Sequence, residues 1–378
     1  MHKKLNDTDQ YWLDCTWEKI QVKMSAECER VGDHIPYVPV NGEYREDKGD
    51  TDIYWWTNGF WPGMLWHMYQ ATQEEPYKTA AEGVERRLDA ALEGFEGLHH
   101  DVGFMWLPSA VANYRLTGNE RSKTRGLHAA NLLAGRYNPR GRFIRAWNDD
   151  CTGWIIVDSM MNIPLLYWAS METNDPRFRY IAMDHADTVL GRIVRSDGSC
   201  NHIAILNPEN GELLEAPGGQ GFASGSAWSR GQSWALYGFA LSYRYTKDDR
   251  YLSAAKSIAH YFITQVSTTD YVPLVDFRAP AEPVKWDTTA GLCAACGLLE
   301  LAETVPELEQ PFYRNAAIRI LQSTDERFAN WNPNEDAIIS GGTEAYHSIK
   351  NNEVPIIYGD YFFIEAVLRL KEKHVLIW

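Results

Sequence analysis

The chain has 378 residues, long enough to bury a large core, and nothing in its composition marks it as disordered or fibrous. It carries 36 Lys and Arg against 51 Asp and Glu, a net charge of -15, so it has no long-range attraction for nucleic acid or anionic membranes. Any anionic ligand has to be held by a few local groups. The start, MHKKLNDTDQYWLDCTWEKI, has no apolar signal core, and no later run reaches the length of a bilayer span, which predicts a cytoplasmic protein without membrane partners.

In chain order, DTDQYWLDCTWEKIQVKMSAECERV reads as an amphipathic helix with no predecessor. After it one plan recurs: an aromatic, Gly-containing or acidic stretch opens an apolar helix, a Thr-polar-acid turn follows, and a second amphipathic helix runs on. Turns of this kind are expected near Thr72, Thr117, Thr173, Thr246 and Thr304. The last first-type helix, GDYFFIEAVLRLKEK, has no second helix after it, and the unpaired N-terminal helix supplies one. Six hairpins closed by the two ends predict an all-α (α/α)6 barrel, one domain over residues 1–378, rather than an open solenoid. Six scattered cysteines predict reduced thiols; the CxxC pair Cys293 and Cys296 lies in a helical run and reads as core packing.

If every first helix starts at the same end, YWWTNGFW, LHHDVGF, WIIVDSMMN, SAWSRGQSW, VKWDTTAG and IIYGDYF meet at one mouth. No metal or cofactor is expected there: HExxH is absent, and His99, His100 and Asp101 are adjacent residues that would point apart on a helix. The Gly-rich PGGQGFASG lacks the context of a phosphate loop and reads as a flexible loop beside the mouth. No G-x-S-x-G elbow is present. Carboxylates remain. Asp101, Asp158, Asp287 and Asp360 sit near helix starts, where capping is the simplest explanation, and for Asp287 and Asp360 it is preferred. Asp158 differs, because Ile155, Ile156 and Val157 precede it and Met160 and Met161 follow. Its desolvation predicts a raised pKa suited to a proton donor, with Asp101 the more polar, ionised partner. Arg230, between Trp228 and Trp234, could present a rigid fork to a carboxylate ligand or form an internal salt bridge. Trp56, Trp147 and Trp234 could line a slot for a sugar.

Together WTNGFWPGMLW, LHHDVGFMW, FIRAWN, WIIVDSMMNIPLL, NPENGE, WSRGQSWALYGFALSYRY, AYHSIK and YGDYFFIEAVLRL resemble glycoside hydrolase family 88, the unsaturated glucuronyl hydrolases, over nearly the whole chain. The resemblance implies an (α/α)6 barrel that removes Δ4,5-unsaturated uronyl residues from the non-reducing end of oligosaccharides made by polysaccharide lyases. It makes Asp158 the general acid and base and Asp101 the second essential carboxylate. It also makes Trp56, Trp147 and Trp234 aromatic walls, and His202, Gln220 and Arg230 polar contacts to the sugar, its carboxylate or a nearby water. Tyr346 and His100 fall at matching positions. Ser348 and Lys350 fall where some members bind a sulfate on the adjoining sugar. Two departures stand out: Gly219 replaces a histidine common before the glutamine, and Ala345 lacks a hydroxyl found there. Rival readings are an unsaturated rhamnogalacturonyl hydrolase of family 105, ordinary glycoside hydrolysis, a histidine-based epimerase and a non-catalytic sugar-binding barrel.

Overall fold

The structure, a computed structural model, describes residues 5–378. Among them an inner ring of helices is formed by Phe60–Thr72, residues 102–117, Pro164–Thr173, Ser229–Thr246, Thr288–Thr304 and Ile357–Leu370. The outer ring is formed by Glu75–Arg87, Glu120–Ala134, Pro176–Arg192, Asp249–Val266, Gln310–Phe328 and the N-terminal Asp7–Val31, which packs against the last inner helix. This is the expected (α/α)6 barrel. Inner helices are covered on all sides, so Thr288–Thr304 is buried at every position from Thr288 to Ala302. Outer helices show a single apolar stripe, as in Tyr251, Ala255, Ile258 and Phe262 of Asp249–Val266.

The expected turns close the hairpins for a definable reason. The inner helices end at Thr72, Thr117, Thr173, Thr246 and Thr304. In the first four the threonine hydroxyl donates back to the carbonyl four residues earlier, at 2.7–2.9 Å. The next residue turns left-handed, at Gln73, Gly118, Asn174 and Lys247. Asn119, Asp175 and Asp248 then cap the following helix by accepting from the N–H of Arg121, Arg177 and Arg250. Thr304 departs from the pattern: its hydroxyl reaches Leu301 O, and the chain continues extended at Val305.

Short strands that sequence periodicity does not show are added at the mouth. Trp154–Ile156 pairs antiparallel with Ile203–Leu206, which pairs with Leu213–Glu215. Strands of three or four residues are too short to reveal a period of two. All six cysteines are free, with Cys293 and Cys296 buried. No helix among the described residues is long and apolar enough to cross a membrane.

One carboxylate makes three of the bonds at the closure of the ring. Asp325, on the outer helix Gln310–Phe328, accepts from Trp12 Nε1 (2.9 Å) and Thr16 Oγ1 (3.1 Å) of the N-terminal helix and from Trp331 Nε1 (2.9 Å). Asp325→Ala is expected to lower the free energy of unfolding by about 2–4 kcal/mol in denaturant titrations, with KM unchanged because the site is remote.

Candidate active site

The starts of the inner helices surround a cavity of about 240 Å³. Larger cavities, of about 500 Å³ at the opposite helix ends and about 740 Å³ between outer helices, lack two facing acids in an aromatic setting. Convergent chemistry, not volume, selects the site.

Asp158 arrives on the end of a strand. Ile156 pairs with Ile203, Val157 N–H donates to His202 O at 3.0 Å, and the chain then turns through Val157–Met161. The carboxylate therefore faces the cavity beside His202, whose Nε2 lies 3.5 Å from Asp158 Oδ1. Neither of these two buried atoms has a hydrogen-bond partner among the described residues.

Asp101 lies just before the helical turn Val102–Trp106, with its carboxylate bound by Asn162 Nδ2 at 3.0 Å. The same amide nitrogen donates to Asp158 O (3.1 Å), and Asn162 Oδ1 accepts from Phe104 N–H (2.8 Å). The two hairpins approach so closely that a Cβ on Gly103 would stand 2.4 Å from Asn162 Cα, so no side chain fits there. Burial pushes the Asp101 carboxyl well above the usual range. The charge of Asp158 adds to the rise, and the Asn162 hydrogen bond opposes it. The expectation that Asp101 is the more polar, ionised partner is thus corrected: its carboxyl is buried and carries a strong upward shift, because burial is set by the packing of two hairpins and not by sequence neighbours.

His99 Nδ1 and His100 Nε2 each come within 3.3 Å of Asp101 Oδ2, and His100 Nδ1 meets Ser159 Oγ at 3.1 Å. Burial lowers His99 to about 4 and holds His100 well below the usual imidazole range, so both rings are neutral at pH 7. The three residues precede the helix rather than lying on it, and their ligand atoms gather within 4.8 Å. The argument that they point apart therefore fails, and they could together hold a divalent cation.

Arg230 lines the cavity, but its fork is engaged. Nη1 donates to Asp287 Oδ2 (2.7 Å), Thr343 O (2.8 Å) and Thr289 Oγ1 (3.2 Å), and Nη2 donates to Glu344 O. Of the two readings of Arg230, the internal salt bridge is present. Asp287 is therefore not a cap by its side chain, and Asp360 accepts instead from the N–H groups of Ile338 (2.9 Å) and Ile339 (2.7 Å). Trp56, Trp147, His100 and Gln220 line the cavity. Trp234, expected at the wall, is wholly buried behind it against Trp56 and Phe104. Tyr346 is buried between the Phe222 ring and the Lys285 ammonium rather than lining the cavity. Ser348 and exposed Lys350 lie on the loop that follows, outside the cavity lining.

The Gly-rich segment is not a loose loop. Asp276 accepts from Phe222 N–H (3.0 Å), Ala227 N–H (3.1 Å) and Ser226 Oγ, while Gln220 binds Glu344 O through Nε2 (2.7 Å) and accepts from Tyr346 N–H (2.9 Å). Sequence reasoning missed Tyr37, Trp55, Trp228 and Tyr358 on the cavity wall, and it gave Asn162 no role. An amide within an apolar run was the available signal, since a buried amide must find partners.

A helical barrel whose helix starts hold paired acids and aromatic walls around a ring-sized pocket defines a saccharide-processing class. Residues 36–245 match Glycosyl Hydrolase Family 88. Over 362 residues the chain is 34% identical to "Unsaturated glucuronyl hydrolase" of Bacillus sp. (strain GL1), covering 93% of this chain and 94% of the relative. It is 34% identical to "Unsaturated chondroitin disaccharide hydrolase" of Streptococcus pneumoniae over 85% of this chain and 83% of that one. The crystal structure of unsaturated glucuronyl hydrolase from Streptococcus agalactiae superposes with a TM-score of 0.91 at 30% identity, covering 100% of this chain and 95% of that one. The chain belongs to glycoside hydrolase family 88.

The burial of Asp101 has a stability signature. Its folded pKa lies above its unfolded value, so folding is penalised once the unfolded carboxyl ionises, and the penalty is complete above the folded pKa. Asp101→Asn is therefore expected to raise the melting temperature at pH 7, and the gain should shrink to nothing as the pH falls below about 4. A melting series over pH 3–8 checks it.

Proposed function

We propose that this enzyme releases Δ4,5-unsaturated uronyl residues from the non-reducing end of lyase-generated oligosaccharides. The carrying observation is the convergence of Asp101 and Asp158 in one cavity with Trp56 and Trp147 on its walls. Its volume of about 240 Å³ is below the roughly 300–1,000 Å³ of clefts for drug-sized ligands, which suits a single sugar ring. The names of the relatives support the same activity.

In this reading Asp158 gives its proton to C4 of the vinyl ether. Positive charge develops at C5 and is shared by the ring oxygen, and water attacks C5 while Asp158 takes a proton from it. The hemiketal so formed opens and expels the remaining sugar. Proton given and proton taken balance, so one carboxyl serves both steps. Asp101, held by Asn162, positions the sugar or supports Asp158. Arg230, pinned by Asp287 and two carbonyls, contributes a fixed positive edge for the uronate rather than a mobile fork. His100 and Gln220 supply further polar contacts, and Ser348 and Lys350 lie on the loop that would meet a sulfate on the next sugar. We also read the chain as one cytoplasmic domain; the core continuous from Leu13 to Trp378 and the free cysteines support this.

Asp158→Asn is expected to lower kcat by about 10²- to 10⁴-fold, followed through the ultraviolet absorbance of the conjugated double bond with a panel of unsaturated disaccharides. Turnover at the wild-type level would remove Asp158 from the mechanism. Lys350→Ala is expected to lower the rate on sulfated relative to unsulfated disaccharides, and an unchanged ratio would remove Lys350 from sulfate recognition.

A further inference from the structure

His202 does not line the cavity, yet its surroundings determine what its ring can do. The residue is 5% exposed, and its ring tilts over Trp228 with centroids 4.3 Å apart. Its Nδ1 accepts the backbone N–H of Gln220 at 2.9 Å. A nitrogen that accepts carries no proton, so the one ring proton of neutral imidazole sits on Nε2. That nitrogen lies 3.5 Å from Asp158 Oδ1, and neither atom has another partner. A donor thus stands opposite an acceptor, both buried, at a separation that catalytic pairs without substrate often show before they tighten. A proton on Nδ1 would set N–H against N–H, so the geometry selects the Nε2–H tautomer of the neutral ring.

The clamp depends on Gly219. At φ 58° it occupies the left-handed region, and a Cβ placed on it would stand 2.0 Å from His202 Nδ1. Only a residue without a side chain lets the 219–220 peptide come close enough to donate to the ring. The glycine that replaces a histidine here is thereby accounted for.

We propose that the Gly219–Gln220 peptide locks His202 as the neutral Nε2–H tautomer, which makes His202 a positioning residue that orients Asp158 through Oδ1 and not a proton shuttle. The inference rests on the reading of Asp158 as the reacting acid. With Oδ1 buried opposite Nε2, Oδ2 is left for the substrate. The lock also keeps the proton inventory of the reaction on the carboxyl group.

The first test reads no activity. With histidine selectively labelled with ¹⁵N, long-range proton–nitrogen correlation at pH 7, assigned by the signal lost in His202→Gln, is expected to show Nδ1 unprotonated and Nε2 protonated. A Nδ1–H tautomer or an imidazolium would overturn the proposal. Kinetically, His202→Ala is expected to lower kcat about 10- to 100-fold, comparable with losing a group that orients a metal ligand, with KM within about threefold. His202→Gln, whose amide can place a donor near the Nε2 position, should recover most of the lost kcat, whereas the shorter His202→Asn should not. Equal kcat for His202→Gln and His202→Ala, or a loss carried by KM, would overturn it. Gly219→Ala should displace the ring, changing the His202 nitrogen signals and lowering kcat as His202→Ala does, while melting at a lower temperature in a single cooperative transition. Unchanged signals and unchanged kcat would overturn the clamp. If Asp158→Asn kept wild-type turnover, the catalytic reading would fail while the tautomer measurement still stood on its own.

Discussion

The side chain of Asn162 bonds to two hairpins at once, and the geometry of the site depends on it. Its amide nitrogen binds the Asp101 carboxylate and the Asp158 carbonyl, and its oxygen takes the Phe104 N–H. A fully buried amide is costly unless both its ends are satisfied, and here they are, so the two helix starts have little freedom to slide past each other. Gly103 is the packing counterpart of that bond, because the approach leaves no room for a Cβ. The distance between the two acid-bearing segments is thus set by one hydrogen-bonded residue rather than by the acids.

Around this node the protein handles charge unevenly. Arg230 and Asp287, both wholly buried, neutralise each other and are further tied to the 343–344 backbone, so the wall on that side is rigid. Asp101 has no such cation in contact: its neighbours are two neutral imidazoles and an amide, and its pKa rises accordingly. Asp158 faces a histidine whose Nδ1 is engaged by the Gln220 N–H. A low-dielectric pocket with one fixed cation and two acids held by different partners is the environment in which carboxyl groups of the same intrinsic strength can take different roles.

Much of the architecture was legible. Thr72, Thr117, Thr173, Thr246 and Thr304 marked the hairpin turns because threonine at a helix end bonds back to its own helix, a purely local effect. The convergence of helix starts then followed from counting hairpins, and it placed Trp56, His100, Asp101, Asp158 and Arg230 at one mouth. What failed were judgements of environment. Trp234 stands on a helix that opens at the mouth, yet one turn carries it behind Trp56. Asp360 sits in a first helical turn but serves the 338–339 backbone, and the glycines of 217–225 belong to a segment pinned by Asp276.

The sequence by itself determined the helical hairpins, their number, the end at which they open and the residue types gathered there. Each of these follows from interactions within a few residues or from a repeated pattern of apolar side chains. Only the tertiary structure decided which groups meet each carboxyl, whether Arg230 is free or paired, and which nitrogen of His202 carries its proton. Those properties depend on contacts between residues far apart in the chain, such as Asp101 with Asn162, Arg230 with Thr343 and Gln220 with His202. Desolvation and hydrogen bonding act through distance in space, which no spacing along the chain encodes.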